Sequence, residues 1–221
     1  MTEVDPREER ERARLASLSD NPAEAYRIYE QLLRAEPDDP DTLLDYARAK
    51  YREFADLEAA TRLFERLAER QPNFVEAQLW LGDLYSMGYG RGYGTAANRY
   101  REALRLDARA ADAYVGLGML HRVPSAPVTL AGAVDAFRRA VELEPARADA
   151  RTNLAMALLE SGQPAAARQE LVVAEQLLDE IGESRQARAV RALLDGLNGG
   201  HAVKPGSYSN RSERYRWPRN S

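Results

Sequence analysis

A four-position spacing that returns every 34 to 37 residues constrains this chain more than any other feature. The spacing is alanine, then an aromatic or leucine four residues on, then alanine or leucine three further, then a closing residue after five more. It occurs at Ala25, Tyr29, Leu32 and Pro37; Ala60, Phe64, Leu67 and Pro72; Ala96, Tyr100, Ala103 and Ala108; Ala133, Phe137, Ala140 and Pro145; and Ala167, Leu171, Ala174 and Asp179. A second apolar set precedes each of the last four copies: Leu43-Tyr46-Ala47, Leu81-Gly82-Tyr85, Tyr114-Leu117-Gly118-His121 and Leu154-Ala155-Leu158. Both sets recur at i, i+3, i+4 and i+7, the period of one helical face. Each unit is therefore expected to be two helices, and a fixed period of this length is the signature of stacked repeats.

The residue types explain why two such helices pair. A small residue at Ala47, Gly82, Gly118 or Ala155 lets the partner helix come close, and the alanine that opens the second helix answers it. The aromatic ring then fills the remaining gap. Pro37, Pro72 and Pro145 stop the second helices, because proline lacks the amide and disfavours helical geometry in the residue before it.

On these residues the chain resembles the tetratricopeptide repeat family, as a bacterial member of about five repeats; the family's 34-residue helix-turn-helix carries small, aromatic and proline positions in the same order. The resemblance covers residues 6–181. It implies an all-α, right-handed α-solenoid of five repeats at approximately 6–37, 38–72, 73–108, 109–145 and 146–181. The first copy departs from the pattern, with Glu9 and Arg12 where the family packs apolar side chains, so its first helix is expected to be a polar cap. Val190, Leu193, Leu194 and Leu197 form a stripe closed by Gly199-Gly200, which predicts a capping helix over 183–198.

Composition removes most catalytic chemistry. There is no cysteine, and two histidines leave little for a dyad or a metal, so no enzyme activity, cofactor or metal is expected. Neither an apolar run long enough to span a bilayer nor a signal-like apolar region near Met1 is present, which points to a cytoplasmic protein. Only two of the 31 basic residues are lysines, Lys50 and Lys204, a skew that GC-rich bacterial genomes produce. Gly88, Gly90, Gly92 and Gly94 alternate with Tyr89, Arg91 and Tyr93, but no strand precedes them, so they do not make a dinucleotide fingerprint.

The resemblance also implies a binding face, since partners of this family usually lie as peptides along the first helix of each repeat. The matching positions are Leu44, Arg48 and Tyr51; Leu79, Asp83 and Ser86; Val115, Met119 and Arg122; and Thr152, Met156 and Leu159. The subfamily that clamps the terminal carboxylate of chaperones needs Lys/Asn and Lys/Arg pairs one turn apart. Leu44/Arg48, Leu79/Asp83, Val115/Met119 and Thr152/Met156 do not supply them. Asp41, Glu76, Asp112 and Asp149, at the starts of the first helices, read as charges that favour helix N-termini rather than as a ligand ladder.

Residues 199–221 stand apart. From 201 onward, Lys204, Arg211, Arg214, Arg216 and Arg219 face Glu213 alone, a balance of +4, so within a chain of −4 residues 1–200 carry −8. The segment is too polar and too punctuated by proline and glycine to build a core of its own. Tyr208, Arg214, Tyr215, Arg216 and Trp217 are nevertheless the residue types that anchor interfaces. The reading that follows is a non-enzymatic adaptor, with a protein or peptide in the groove and the tail as a second interaction element. The tail is also a candidate to bind the protein's own groove in cis. Two alternatives use the tail differently: as an RNA or anionic-surface binder, which the acidic body disfavours, or as a substrate for a peptide-modifying enzyme at Tyr215-x-Trp217.

Overall fold

The computed structural model describes residues 5–18, 22–54, 56–88, 92–123 and 125–198. The tail anchors Tyr208, Arg214, Tyr215, Arg216 and Trp217 lie outside these residues, as do Tyr89 and Arg91. Among the described residues the chain is all-α, with eleven helices in order: α1 (Pro6–Leu18), α2 (Pro22–Ala35), α3 (Pro40–Phe54), α4 (Leu57–Arg70), α5 (Val75–Ser86), α6 (Tyr93–Leu106), α7 (Ala111–Leu120), α8 (Leu130–Leu143), α9 (Ala148–Glu160), α10 (Pro164–Glu180) and α11 (Ser184–Asn198). Tyr93 and Gly94 open α6 instead of belonging to the glycine-rich turn.

Helix ends follow from local chemistry. α2, α4 and α8 stop two residues before Pro37, Pro72 and Pro145. Asp56 caps α4 by accepting the Ala59 amide at 3.2 Å, and Thr129 caps α8 by accepting the Gly132 amide at 3.1 Å. At the end of α9, Gly162 turns into the left-handed region (φ +77°), and the Gly162 and Gln163 amides donate to the Leu159 and Leu158 carbonyls. The same pair of bonds closes α10 at Gly182 (φ +74°) and Glu183.

The chain divides into two compact units. One comprises Met1–Gly116 with Val123–Pro127, the other Leu117–Arg122 with Val128–Ser221. In the first, α1 packs on α2, α3 on α4 and α5 on α6, while α2 meets α3 and α4 meets α5, so successive hairpins stack. Its core is built from Ile28, Tyr29, Leu43, Phe64, Leu67, Leu81, Leu84, Tyr85 and Tyr100. In the second, α9 packs on both α8 and α10, and α11 covers α10. Leu120, Phe137, Met156, Leu171 and Val190 are buried there.

Two rings show how small residues set helix spacing. A β-carbon on Gly82 would come within 2.5 Å of the Tyr100 ring, and one on Gly116 would collide with the same ring from α7. In the second unit a β-carbon on Gly118 would lie 2.6 Å from Phe137. Tyr100 of α6 and Phe137 of α8 thus fill the space that a missing side chain opens, at the close packing normal for protein interiors.

Candidate functional site

In the first unit, the first helices of neighbouring repeats are joined by a relay of ion pairs. Arg14 of α1 donates from Nε and Nη2 to the two carboxylate oxygens of Asp45 on α3, at 2.7 and 3.1 Å. Asp45 also lies 3.7 Å from Arg48, one turn along α3. Arg48 in turn donates from Nε, at 3.1 Å, and from Nη2 to Glu76 of α5. Trp80 Nε1 donates to the same Glu76 oxygen at 3.1 Å. Positive and negative groups alternate across three helices, so the relay is locally balanced in charge.

Burial within the relay is uneven. The Asp45 side chain is only 4% exposed, and burial pushes its carboxyl upward, a shift that Arg14, Arg48 and Arg10 oppose without cancelling. Burial also acts against Asp39. There the Thr42 hydroxyl and amide, with Arg10, win and hold the carboxyl below its ordinary value. Asp39, with Pro40 at the first helical position, is therefore the side chain that caps α3. Asp41, Glu76, Asp112 and Asp149 lie in the first turns of their helices, but α5 and α9 begin without a side-chain cap bond. Tyr46, buried beside Glu30, is pushed up to about 12.

Aromatic packing fixes the neighbouring wall. Tyr51 meets Trp80 edge-on at 4.8 Å between centroids, and Trp80 stacks on Phe64 at 5.2 Å. Tyr100 donates its hydroxyl to the buried Asp83. Of the residues in this unit expected to line the binding face, Leu44, Asp83 and Val115 are buried, whereas Arg48, Tyr51 and Leu79 are half-buried.

In the second unit Met119 and Arg122 are half-buried, while Thr152 and Met156 are closed off. Thr152 returns its hydroxyl to the Ala148 carbonyl at 2.8 Å. His121 is a packing residue: its ring meets Phe137 edge-on at 6.4 Å, Nδ1 lies 2.6 Å from the Gly118 carbonyl and Nε2 lies 2.9 Å from Glu160. Because the carbonyl can only accept, Nδ1 is the donor in that contact. Glu160 also faces Arg122 Nε at 3.6 Å. Among the described residues, no three His, Asp or Glu side chains group so as to hold a metal ion, and no helix is long and apolar enough to cross a membrane.

Asp45, Glu76, Glu160 and Gly116 were not expected to take these roles. A signal for the first two existed: Arg14 and Asp45 are 31 residues apart and Arg48 and Glu76 are 28 apart, each near one repeat length, so opposite charges recur on consecutive first helices.

Comparison with known proteins agrees with this architecture. Two tetratricopeptide-repeat family models match, over residues 16–78 and 136–169. Among solved structures, one of MamA superposes with a TM-score of 0.65 at 18% identity, covering 83% of this chain and 99% of that one. A MamA from Desulfovibrio magneticus RS-1, residues 41 to the end, gives 0.67 at 19% identity over 81% and 98%. The AMB-1 form of MamA gives 0.59 at 20% over 79% and 92%. At such identities the likeness concerns the fold alone. No curated protein matches by sequence. With repeat spacing, paired helices, two matching family models and the shared fold in agreement, the chain carries tetratricopeptide repeats, matched over residues 16–78 and 136–169, of the kind that serve as protein-interaction scaffolds.

Proposed function

We propose that this protein is a non-enzymatic cytoplasmic adaptor that holds a protein or peptide segment along the first helices of its repeats, with residues 201–221 as a second interaction element. The observation that carries the reading is the graded burial along those helices. Leu44, Asp83, Val115, Thr152 and Met156 are consumed by packing, while Arg48, Tyr51, Leu79, Met119 and Arg122 keep part of their surface open. Open leucine, methionine and tyrosine supply contact area, and the two arginines supply direction to a partner's acceptors.

Arg48 already holds Glu76 and Arg122 faces Glu160, so a partner gains less from charge than from apolar fit. This favours a partner with large apolar side chains over one selected by its carboxylates. The test is retrieval of partners from native cells with the wild type, with Leu79→Glu and Met119→Glu, and with a chain ending at residue 200. The glutamates are expected to abolish capture with helicity unchanged, because a carboxylate resists desolvation in a contact. Truncation is expected to lose only those partners that the tail holds. Wild-type retrieval by both glutamate variants would place the binding face elsewhere.

A further inference from the structure

The attachment of α1 is out of balance. Of its thirteen residues only Ala13 and Ser17 are buried, and Leu15 and Leu18 are 61% and 69% exposed. Its apolar contribution to the cluster of Ala25, Ile28, Tyr29, Tyr46 and Ala49 is Ala13, with Ala16 at the margin. By contrast α4, one residue longer, buries Ala60, Phe64, Leu67 and Ala68 together with Thr61. Two methyl groups are too little to fix a helix of this length against the entropy of ordering it.

Ion pairs supply the rest. Arg10 reaches Asp39 at 2.8 Å and Asp41 at 3.2 Å; Arg14 reaches Asp45 at 2.7 Å; Arg12 reaches Glu24 on α2 at 2.5 Å. Arg10 and Arg14 are one turn apart on α1, and Asp41 and Asp45 are one turn apart on α3, so the rungs are in register. Within α1, Glu9 pairs with Arg12 at 3.1 Å and Glu11 with Arg14 at 3.3 Å, contacts that survive if the helix leaves.

We propose that α1 is an ionic latch. It docks on α2 and α3 through Arg10, Arg12 and Arg14, and it releases as ionic strength rises, uncovering the apolar face of Ala25, Ile28, Tyr29, Tyr46 and Ala49. Arg14 is the pivotal group. While α1 is docked Asp45 is almost without solvent, and when α1 departs that carboxylate regains water, so weakening Arg14 favours release. The half-exposed Arg12–Glu24 pair, and the half-exposed Arg14 guanidinium that holds Asp45, are open to screening.

The test is amide hydrogen exchange on the full chain at 0.01 M and 1 M sodium chloride, between which the Debye length falls from about 30 Å to about 3 Å. The amides of α1 are expected to lose about tenfold of their protection at high salt while those of α5 and α6 hold theirs. Arg14→Gln at low salt is expected to reproduce that loss, and Arg14→Gln with Asp45→Asn to recover most of it, because the buried charge is then gone. The latch is overturned if α1 protection does not change with salt or is absent at both concentrations. It is equally overturned if Arg14→Gln lowers α1 and α5–α6 alike, or if the double variant recovers nothing.

Discussion

Asp39, which caps α3, and Asp45, six residues on in its second turn, respond to pH with opposite sign. Asp39 is held below its ordinary value in the fold, so its ionisation contributes stability above the unfolded value, about 3.9, that is lost as pH falls through the folded one. Asp45 is raised, so its contribution is full below the unfolded value and is lost as pH rises through the folded one. Asp39→Asn keeps the capping acceptor and removes the charge; the stability gap between wild type and variant should narrow as pH is lowered from about 6 to about 3. Asp45→Asn should gain on the wild type over the same range taken upward. Urea unfolding at a series of pH values checks both, and gaps that do not change with pH would contradict the environments assigned to the two carboxylates. Against burial, the Asp39 environment is set first by Thr42, three residues on, and then by Arg10, whereas that of Asp45 depends on how deeply Arg14 and its helix cover it, which a recurrence of opposite charges 31 residues apart does not specify.

At the scale of elements, much was readable because each signal is local. Alanine, aromatic and proline positions encode where a second helix begins, what it packs and where it stops, and Pro37, Pro72 and Pro145 stop α2, α4 and α8 as that chemistry requires. The small residue of each first helix was readable for the same reason. Gly118 faces Phe137 so closely that Gly118→Leu should force α7 and α8 apart and cost about 1 to 3 kcal/mol, seen as a lowered melting temperature with a retained helical spectrum. Unchanged melting would mean that the register of this helix pair is wrong. Gly116 was missed because it lies two residues earlier, on the face that meets Tyr100 of the preceding hairpin, and a contact between repeats leaves no trace in the spacing within one. The extent to which α1 depends on ion pairs was also hidden, since Glu9 and Arg12 signal a polar helix without naming the partners of Arg10 and Arg14.

For the whole molecule, the sequence indicates a family and a face but not how deeply each residue sits on that face. Leu44 and Leu79 occupy equivalent places in consecutive repeats, yet Leu44 is buried and Leu79 is half-open. That depth depends on the side chains of the neighbouring repeat, and it separates residues that hold the stack from residues available to a partner. The charge division, −8 over residues 1–200 and +4 over 201–221, remains a property of the sequence that a partner of either sign can exploit. The account rests on the first helices being the binding face. Its most direct test is site-specific photo-crosslinking in native cells, with the reactive group placed in turn at Tyr51, Leu79 and Met119 on first helices and at Arg62 and Val172, exposed on second helices. The account predicts one shared partner crosslinked from Tyr51, Leu79 and Met119 and from neither control. Crosslinks from Arg62 or Val172, with none from the first helices, would contradict it.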